Sequence, residues 1–263
     1  MSIKKIILNL LPPQVLSVIE PVYYKVQLLY SKLRWNFWGA KLAPKDIPII
    51  INNYNRLEYL QKLISSLKSR GYNNIHILDN NSSYPPLLQF YKNTDVHVIY
   101  LDKNWGFRSI WESGIVKKFW NSYYVYTDSD MELSPECPDD FMNHFLGVLE
   151  RYPNCFKVGF GIKIDDLPDC FRHKEQVIDH ETQFWVNEIE PGLYNASIDT
   201  TFALYRPYTG TSTNSKKMNI RTGFPYLIHH LPWYINSDNL SEEDLYYINS
   251  ISRSTHWSEK NKS

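Results

Sequence analysis

Between residues 46 and 130, short apolar runs alternate with amphipathic stretches, and every apolar run ends in a polar cluster. The segment Asp46–Asn53 is rich in isoleucine and reads as a buried parallel strand. Leu57, Leu60, Leu63, Ile64 and Leu67 then recur at helical spacing, with Gly71 as the stop signal. Ile75–Leu78 predicts a second strand, and Pro85 and Pro86 open a short helix. Val96–Leu101 predicts a third strand. Ile110, Trp111, Ile115, Val116 and Phe119 share one face of a further expected helix. Tyr123–Thr127 predicts a fourth strand that runs into Asp128-Ser129-Asp130.

Strands and helices in strict alternation require crossover connections and hence a parallel sheet. In such sheets ligands sit beyond the carboxyl ends of the strands. The polar clusters fall at those ends: Asn53-Tyr54, Asp79, Asn104 and Asp128 with Asp130. After Met131 the pattern loosens. A helix is expected over Asp140–Tyr152, strands over Lys157–Ile164 and Ser197–Tyr205, a flexible loop over Thr209–Ser215, and a polar tail from Leu240 whose last residues are mobile.

Bulk properties narrow the partners. The 263 residues carry a formal net charge of +0, so no global field attracts nucleic acid. Aromatic residues make up 15% of the chain, which serves either an aromatic core or a surface that packs on sugar rings. Cys137, Cys155 and Cys170 form no metal-like pair and read as structural thiols of a reducing compartment. Residues 1–38 are basic, apolar and aromatic, but Pro12, Pro13 and Pro21 leave no run of about 20 apolar residues to span a bilayer. No small-residue cleavage site follows, so a signal peptide is not expected. Such a segment suits either a membrane interface or packing against the domain or a partner.

Two carboxylates one residue apart, just past a buried strand, can face one point. Hard carboxylate oxygens suit Mg²⁺ or Mn²⁺, which also bind substrate phosphates. An Asp-x-Asp pair also occurs in ordinary turns. Taken together, IPIIINNYNRLEYLQKLISSL, IHILDNNSSYPPLLQFY, DKNWGF and YVYTDSDMEL, in that order, resemble the nucleotide-binding half of the family 2 type GT-A glycosyltransferases.

The resemblance implies an α/β fold of the GT-A, Rossmann-like kind: a central, mostly parallel sheet flanked by helices, with a C-terminal acceptor-binding portion. It implies a nucleotide-sugar-binding half over 46–133 and an acceptor-binding half over 134–240, between an N-terminal amphipathic segment (1–45) and the C-terminal tail (241–263). It also implies that Asn53, Tyr54 and Arg56 lie against the nucleotide, that Asp79 contacts base or ribose, and that Asn104 and Gly106 line the donor pocket. Asp128 and Asp130 would hold Mn²⁺ or Mg²⁺, and His230 is the candidate to complete the metal shell. Each residue has a plainer reading: Asn53 and Tyr54 as helix caps, Asp79 in an Asx-turn, Gly106 as a loop glycine, His230 bonded to backbone.

An inverting transferase needs a carboxylate to take the acceptor's proton. Asp199 is the candidate, on its predicted strand, with a paired structural acid as the alternative; Glu188, Glu190, Asp165 and Asp166 are further candidates. Trp185, Trp233 and Tyr234 are candidates to stack on an acceptor sugar, and Arg221-Thr222-Gly223 for a loop over the diphosphate. The expected activity is transfer of a sugar, from a UDP-sugar by family association, to a glycan or lipid-linked acceptor in surface polysaccharide synthesis. The expected place is the cytoplasm, with residues 1–38 as a candidate contact to the inner face of the cell membrane. A degenerate sugar-nucleotide-binding protein of the same fold and a nucleotidyltransferase are the rival readings; the latter would normally carry an early glycine-rich phosphate loop.

Overall fold

A computed structural model describes residues 13–209 and 217–251. The start of the N-terminal segment, most of the expected Thr209–Ser215 loop and the tail beyond residue 251 lie outside the described residues. The first strands are β1 (Ile49–Asn53), β2 (Ile75–Asp79), β3 (His97–Tyr100) and β4 (Tyr124–Asp128), and they form a contiguous parallel block in the order β3-β2-β1-β4. Successive side chains of β1 point to opposite faces, so a run of three isoleucines serves two cores. Ile49 and Ile51 enter the larger cluster, and Ile50 enters the smaller one on the other face.

Helix α2 (Glu58–Ser69), which follows the N-terminal helix α1 (Pro13–Trp38), presents Leu60, Leu63, Ile64 and Leu67 to the larger core. It stops where Gly71 takes a left-handed φ of 80° and its N–H donates back to the Lys68 carbonyl at 2.9 Å. Helix α3 (Pro85–Asn93) starts on two prolines, whose missing N–H groups cost nothing in a first turn.

The expected helix over residues 110–119 is instead broken into α4 (Ser109–Glu112) and a 3-10 turn at Ile115–Lys118. Ser113 Oγ bonds the Ser109 carbonyl at 2.6 Å, and Gly114 turns left-handed at φ 80°, so the ladder cannot continue.

The second half extends the same sheet with β5 (Met131–Leu133), β6 (Lys157–Ile162), β7 (Glu188–Glu190), β8 (Leu193–Asn195), β9 (Ala203–Tyr205) and β10 (Ile220–His230). Strand β9 runs antiparallel between β4 and β6, and so joins the parallel block to the rest. Strands β6 and β10 are parallel to each other, and the outer pairings are antiparallel. Helix α5 (Phe141–Arg151) covers one face with Phe141, Phe145, Val148 and Leu149, and α6 (Lys174–Thr182) lies beyond it.

Helix α1 continues through Pro21. Two further expectations are corrected. Only Ala203–Tyr205 of the expected strand Ser197–Tyr205 is extended, because the preceding residues leave the sheet to meet the end of β4. The segment read as a polar tail contains a folded helix, α7 (Glu242–Ser250).

Where β6 crosses its neighbours the backbones touch. A Cβ added at Gly159 would lie 2.5 Å from the Phe202 carbonyl oxygen and 2.8 Å from Ala203 Cβ. The clash is with a strand that cannot move without breaking two ladders. Gly159→Ala is therefore expected to lower stability by about 1–3 kcal/mol, read from the urea midpoint at unchanged m.

Candidate active site

The site forms where β4 ends. The β1–β4 register sets Asn52 opposite Asp128, and Asn52 Nδ2 donates to Asp128 Oδ1 at 3.3 Å. Ser109 Oγ donates to Asn52 Oδ1 at 2.6 Å and fixes that amide. Thr200 Oγ1 donates to Asp128 Oδ2 at 2.5 Å, while the Asp128 N–H donates to the Thr200 carbonyl at 3.0 Å. The Asp199-Thr200 loop is thus fastened to Asp128 by backbone and side chain together.

Asp130 follows one residue later. The Leu231 N–H donates to its carbonyl at 2.9 Å, and β5 pairs Met131 with His230. This lock at the end of β10 sets His230 Nε2 at 3.5 Å from Asp130 Oδ2. Burial works to raise the Asp130 carboxyl's pKa, but His230 and Arg56 outweigh it and hold the carboxyl below its ordinary range. Burial pushes Asp128 well above the carboxylate range, reinforced by Asp130 and, more weakly, by Asp199. The two acids therefore resist full ionisation together. A site of this kind exchanges a proton for a cation readily.

The residues fit a divalent cation on one direct observation: Asp130 Oδ1 is buried and has no hydrogen-bond partner. Among the described residues no three His, Cys, Asp or Glu side chains already form a cage. Mg²⁺ is commonly held by one or two carboxylates with substrate phosphates filling its shell.

The remaining strand-end residues divide into two groups. Asn53 is fully buried and donates to Tyr91 Oη at 2.8 Å, and Tyr91 donates to Asp79 Oδ1 at 3.1 Å. Asp79 Oδ2 also accepts from the Ser82 N–H at 3.1 Å, the local turn weighed from the sequence. Asn104 Oδ1 accepts from the Gly106 N–H at 2.8 Å. Gly106 holds φ at 74°, with nothing within 4 Å of an added Cβ, so backbone conformation rather than close contact requires the glycine. Asn80 pins this loop, accepting from the Trp105 N–H at 2.8 Å and donating to the Gly106 carbonyl at 2.9 Å.

Tyr54 and Arg56 meet α7. Arg56 forms a buried ion pair with Asp244 at 2.5 Å, and its guanidinium lies 4.0 Å from the Tyr247 ring centre. Tyr54 Oη donates to the Ser250 carbonyl at 3.1 Å. Glu243 Oε2 accepts from the N–H groups of Leu57 and Glu58, at 2.7 and 3.0 Å, and so caps α2. Tyr247 stands close enough to Asp130 and Asp128 for both to help burial in raising its phenol's pKa to about 12.

Asp199 is exposed in a loop rather than on the expected strand, and Lys157 holds that loop. The Lys157 ammonium is fully buried and donates to the carbonyls of Ile198 and Asp199, at 2.6 and 3.1 Å, and to Tyr205 Oη at 3.1 Å.

Other expected candidates are engaged elsewhere. Arg221 lies within β10, pairs with buried Glu181 at 2.7 Å and bonds the Ser197 carbonyl at 2.6 Å, so it forms no loop over a diphosphate. Trp233 is buried against His230, and Tyr234 Oη donates to Asp166 at 2.5 Å. Glu188 accepts from the Gly192 N–H, and Glu190 pairs with Arg151 at 3.3 Å. Asp165 pairs with Lys163. Trp185 packs edge-on against Tyr194. Asn52, Asn80, Thr200, Lys157 and Tyr247 were not foreseen. Only α7 had a local signal, the capping-box spacing of Ser241 and Asp244 before Leu245.

The fold is that of a sugar-transferring class of α/β enzymes. The chain belongs to glycosyl transferase family 2, whose model matches residues 49–180. Among solved structures, it is similar to S. aureus TarS residues 1–349, at 10% identity over 70% of this chain and 60% of that one, with a TM-score of 0.41. It is also similar to GalNAc-T7 in a complex with UDP, GalNAc and Mn²⁺, at 12% identity over 70% of this chain and 43% of that one, TM-score 0.45. A third is glucosyl-3-phosphoglycerate synthase from Mycobacterium tuberculosis with phosphoglyceric acid, at 13% identity over 61% and 56%, TM-score 0.38. The chain covers no more than 60% of the length of any of these three. No curated protein matches the sequence.

Burial drives the Lys157 pKa down to about 7, with Asp199 opposing the shift. Below that pH the lysine is charged whether the chain is folded or not, and the folded state carries the cost of burying it. Between about 7 and the ordinary lysine value of 10.5, only the unfolded chain holds the proton, so this group makes stability rise with pH. Lys157→Met is expected to flatten that rise, measured by urea unfolding from about pH 7 to about pH 9.

Proposed function

We propose that the chain is a metal-dependent, inverting glycosyltransferase that moves a sugar from a nucleotide-sugar, a UDP-sugar by preference, to a hydroxyl of a glycan or lipid-linked acceptor. Surface polysaccharide assembly is the setting that suits such an acceptor. The observation that carries the reading is the unpaired, buried Asp130 Oδ1 beside Asp128, at the carboxyl end of a parallel strand in a family 2 chain.

Residues 46–133 serve the donor and residues 134–240 the acceptor. Asp128, Asp130 and His230 would hold Mn²⁺ or Mg²⁺, whose chemistry is to neutralise the diphosphate as it leaves. Asn52 and Thr200 orient the Asp128 oxygens, and His230 orients Asp130. Tyr54, Arg56 and Tyr247 form the wall that α7 adds beside the carboxylates. Gly106, held by Asn80 and Asn104, shapes the loop beyond β3.

Asp199 is the base. Its carboxylate takes the acceptor's hydroxyl proton while that oxygen bonds to the anomeric carbon. The bond from the anomeric carbon to the diphosphate breaks, its electron pair departs with the nucleoside diphosphate, and the anomeric configuration inverts. Asp199 suits this role because it is exposed, while its loop is fastened to Asp128 through Thr200 and to the core through Lys157.

Binding and turnover of UDP-, GDP- and dTDP-sugars, with and without Mn²⁺, test the proposal. One donor is expected to bind only with metal, and Asp130→Ala to abolish that binding with the fold intact by circular dichroism. No donor binding in either metal state sinks the proposal. Asp199→Asn is expected to leave donor binding unchanged and to lower turnover by roughly 10²–10⁴-fold. Undiminished turnover removes Asp199 from the reaction, and tight binding without turnover in the wild type favours a degenerate sugar-nucleotide-binding protein.

A further inference from the structure

Helix α1 offers one face to the domain and a different kind of face to solvent. Leu28 and Ser31 are buried; Ser31 Oγ donates to the Pro207 carbonyl at 2.5 Å, and Tyr24 and Trp35 pack edge-on against Phe156 and Tyr123. On the other side Ile19, Val22, Val26, Leu29, Leu33 and Phe37 are all exposed, Val22 and Val26 by 58% each. At about 100° per residue these six fall within an arc of about 80°, and Tyr23 and Tyr30 widen it to about 120°. An apolar stripe of this size on a helix that is already anchored to its domain has no role in folding that domain.

The charges flank the stripe. Exposed Lys25 and Lys32 lie along one edge, and Arg34 along the other, where it bonds Tyr30 Oη at 2.6 Å. Within α1 these three cations face one acid, Glu20, although the whole chain sums to +0. Beside Lys25 and Lys32 a cavity of about 860 Å³ separates α1 from the domain. Its lining combines Leu28, Leu42, Leu146 and Leu149 with those two lysines, Lys41 and Arg206, against one acid, Glu150. Aliphatic walls next to ammonium groups match an anionic lipid, whose chain needs the first and whose headgroup needs the second.

We propose that α1 lies in the surface of an anionic phospholipid membrane, with its apolar stripe in the acyl boundary and Lys25 and Lys32 at the phosphates. The helix rests on the bilayer and does not cross it: among the described residues no helix is long and apolar enough to span one. A second copy of the chain fits less well. Packing two stripes together would bring Lys25 and Lys32 of each copy close to those of the other, with one acid per helix to offset them. This placement is independent of the donor chemistry, and its test reads binding to lipid rather than turnover.

The test is flotation of the full chain with vesicles of phosphatidylcholine alone and of equimolar phosphatidylcholine and phosphatidylglycerol. The wild type is expected to float with the anionic vesicles only, and less as salt rises. Val22→Asp with Val26→Asp, both at solvent-facing positions, is expected to abolish flotation while leaving the melting temperature and donor binding unchanged. Lys25→Glu with Lys32→Glu is expected to weaken binding by about tenfold or more. Failure of the wild type to float with either vesicle overturns the proposal, as does equal flotation with both. Self-association in sedimentation velocity that the valine variants abolish, without vesicle binding, assigns the stripe to a second copy instead and overturns it too.

Discussion

Placing two carboxylates side by side at the half-buried end of β4 is costly, and much of the surrounding structure answers that cost. Asp128 and Asp130 repel each other where little water screens them, so each needs partners that oppose its charge or accept its proton. Asp130 has His230 and Arg56. Among the described residues Asp128 has only the neutral donors Asn52 and Thr200, and its carboxyl stays far more prone to keep a proton. That asymmetry is a property of the sheet: β1 supplies Asn52 by register, and β5 with β10 supplies His230 by a backbone lock.

The same economy explains the two buried ion pairs nearby. Arg56 with Asp244 ties α7 to the turn after β1, and Arg221 with Glu181 ties β10 to α6. Pairs this well buried contribute little net stability against apolar replacements, but losing one partner costs about 3–5 kcal/mol. They therefore specify where elements sit more than they strengthen the fold. Both specify the environment of the carboxylates: the first brings Tyr247 over them, and the second fixes the strand that carries His230.

The first half of the fold was legible because its pattern is local. A run such as Ile49–Ile51, bounded by Pro48 and two asparagines, reads as a strand buried on both faces, and it is one. Asp199, the candidate base, lies in a loop and not on the strand expected for it. Its neighbours are apolar and β-branched, and nothing local shows that Thr200 leaves the sheet to reach Asp128 across 72 positions. Lys157 and Tyr247 were missed for the same reason, since each acquires its role through a contact distant in sequence. Polarity misled the reading of the last segment: Glu242, Glu243 and Asp244 look like a solvated tail, yet two of the three are buried caps and ion-pair partners.

The N-terminal helix packs on the domain, one of the two readings its composition allowed, and still leaves apolar residues exposed. Packing on the domain and facing a membrane seemed exclusive from the sequence, because each would consume the apolar residues. An α-helix of 26 residues is long enough to divide them. Tyr24, Leu28, Ser31 and Trp35 serve the domain, and the stripe around Val22, Val26 and Leu33 is left over. The division has a mechanical consequence. Ser31 bonds Pro207, which lies just past β9, and β9 is the strand that pairs with β4. A bilayer that seated the helix would thus hold the sheet carrying Asp128 and Asp130 at a fixed height above its surface, within reach of acceptors anchored in the same lipid.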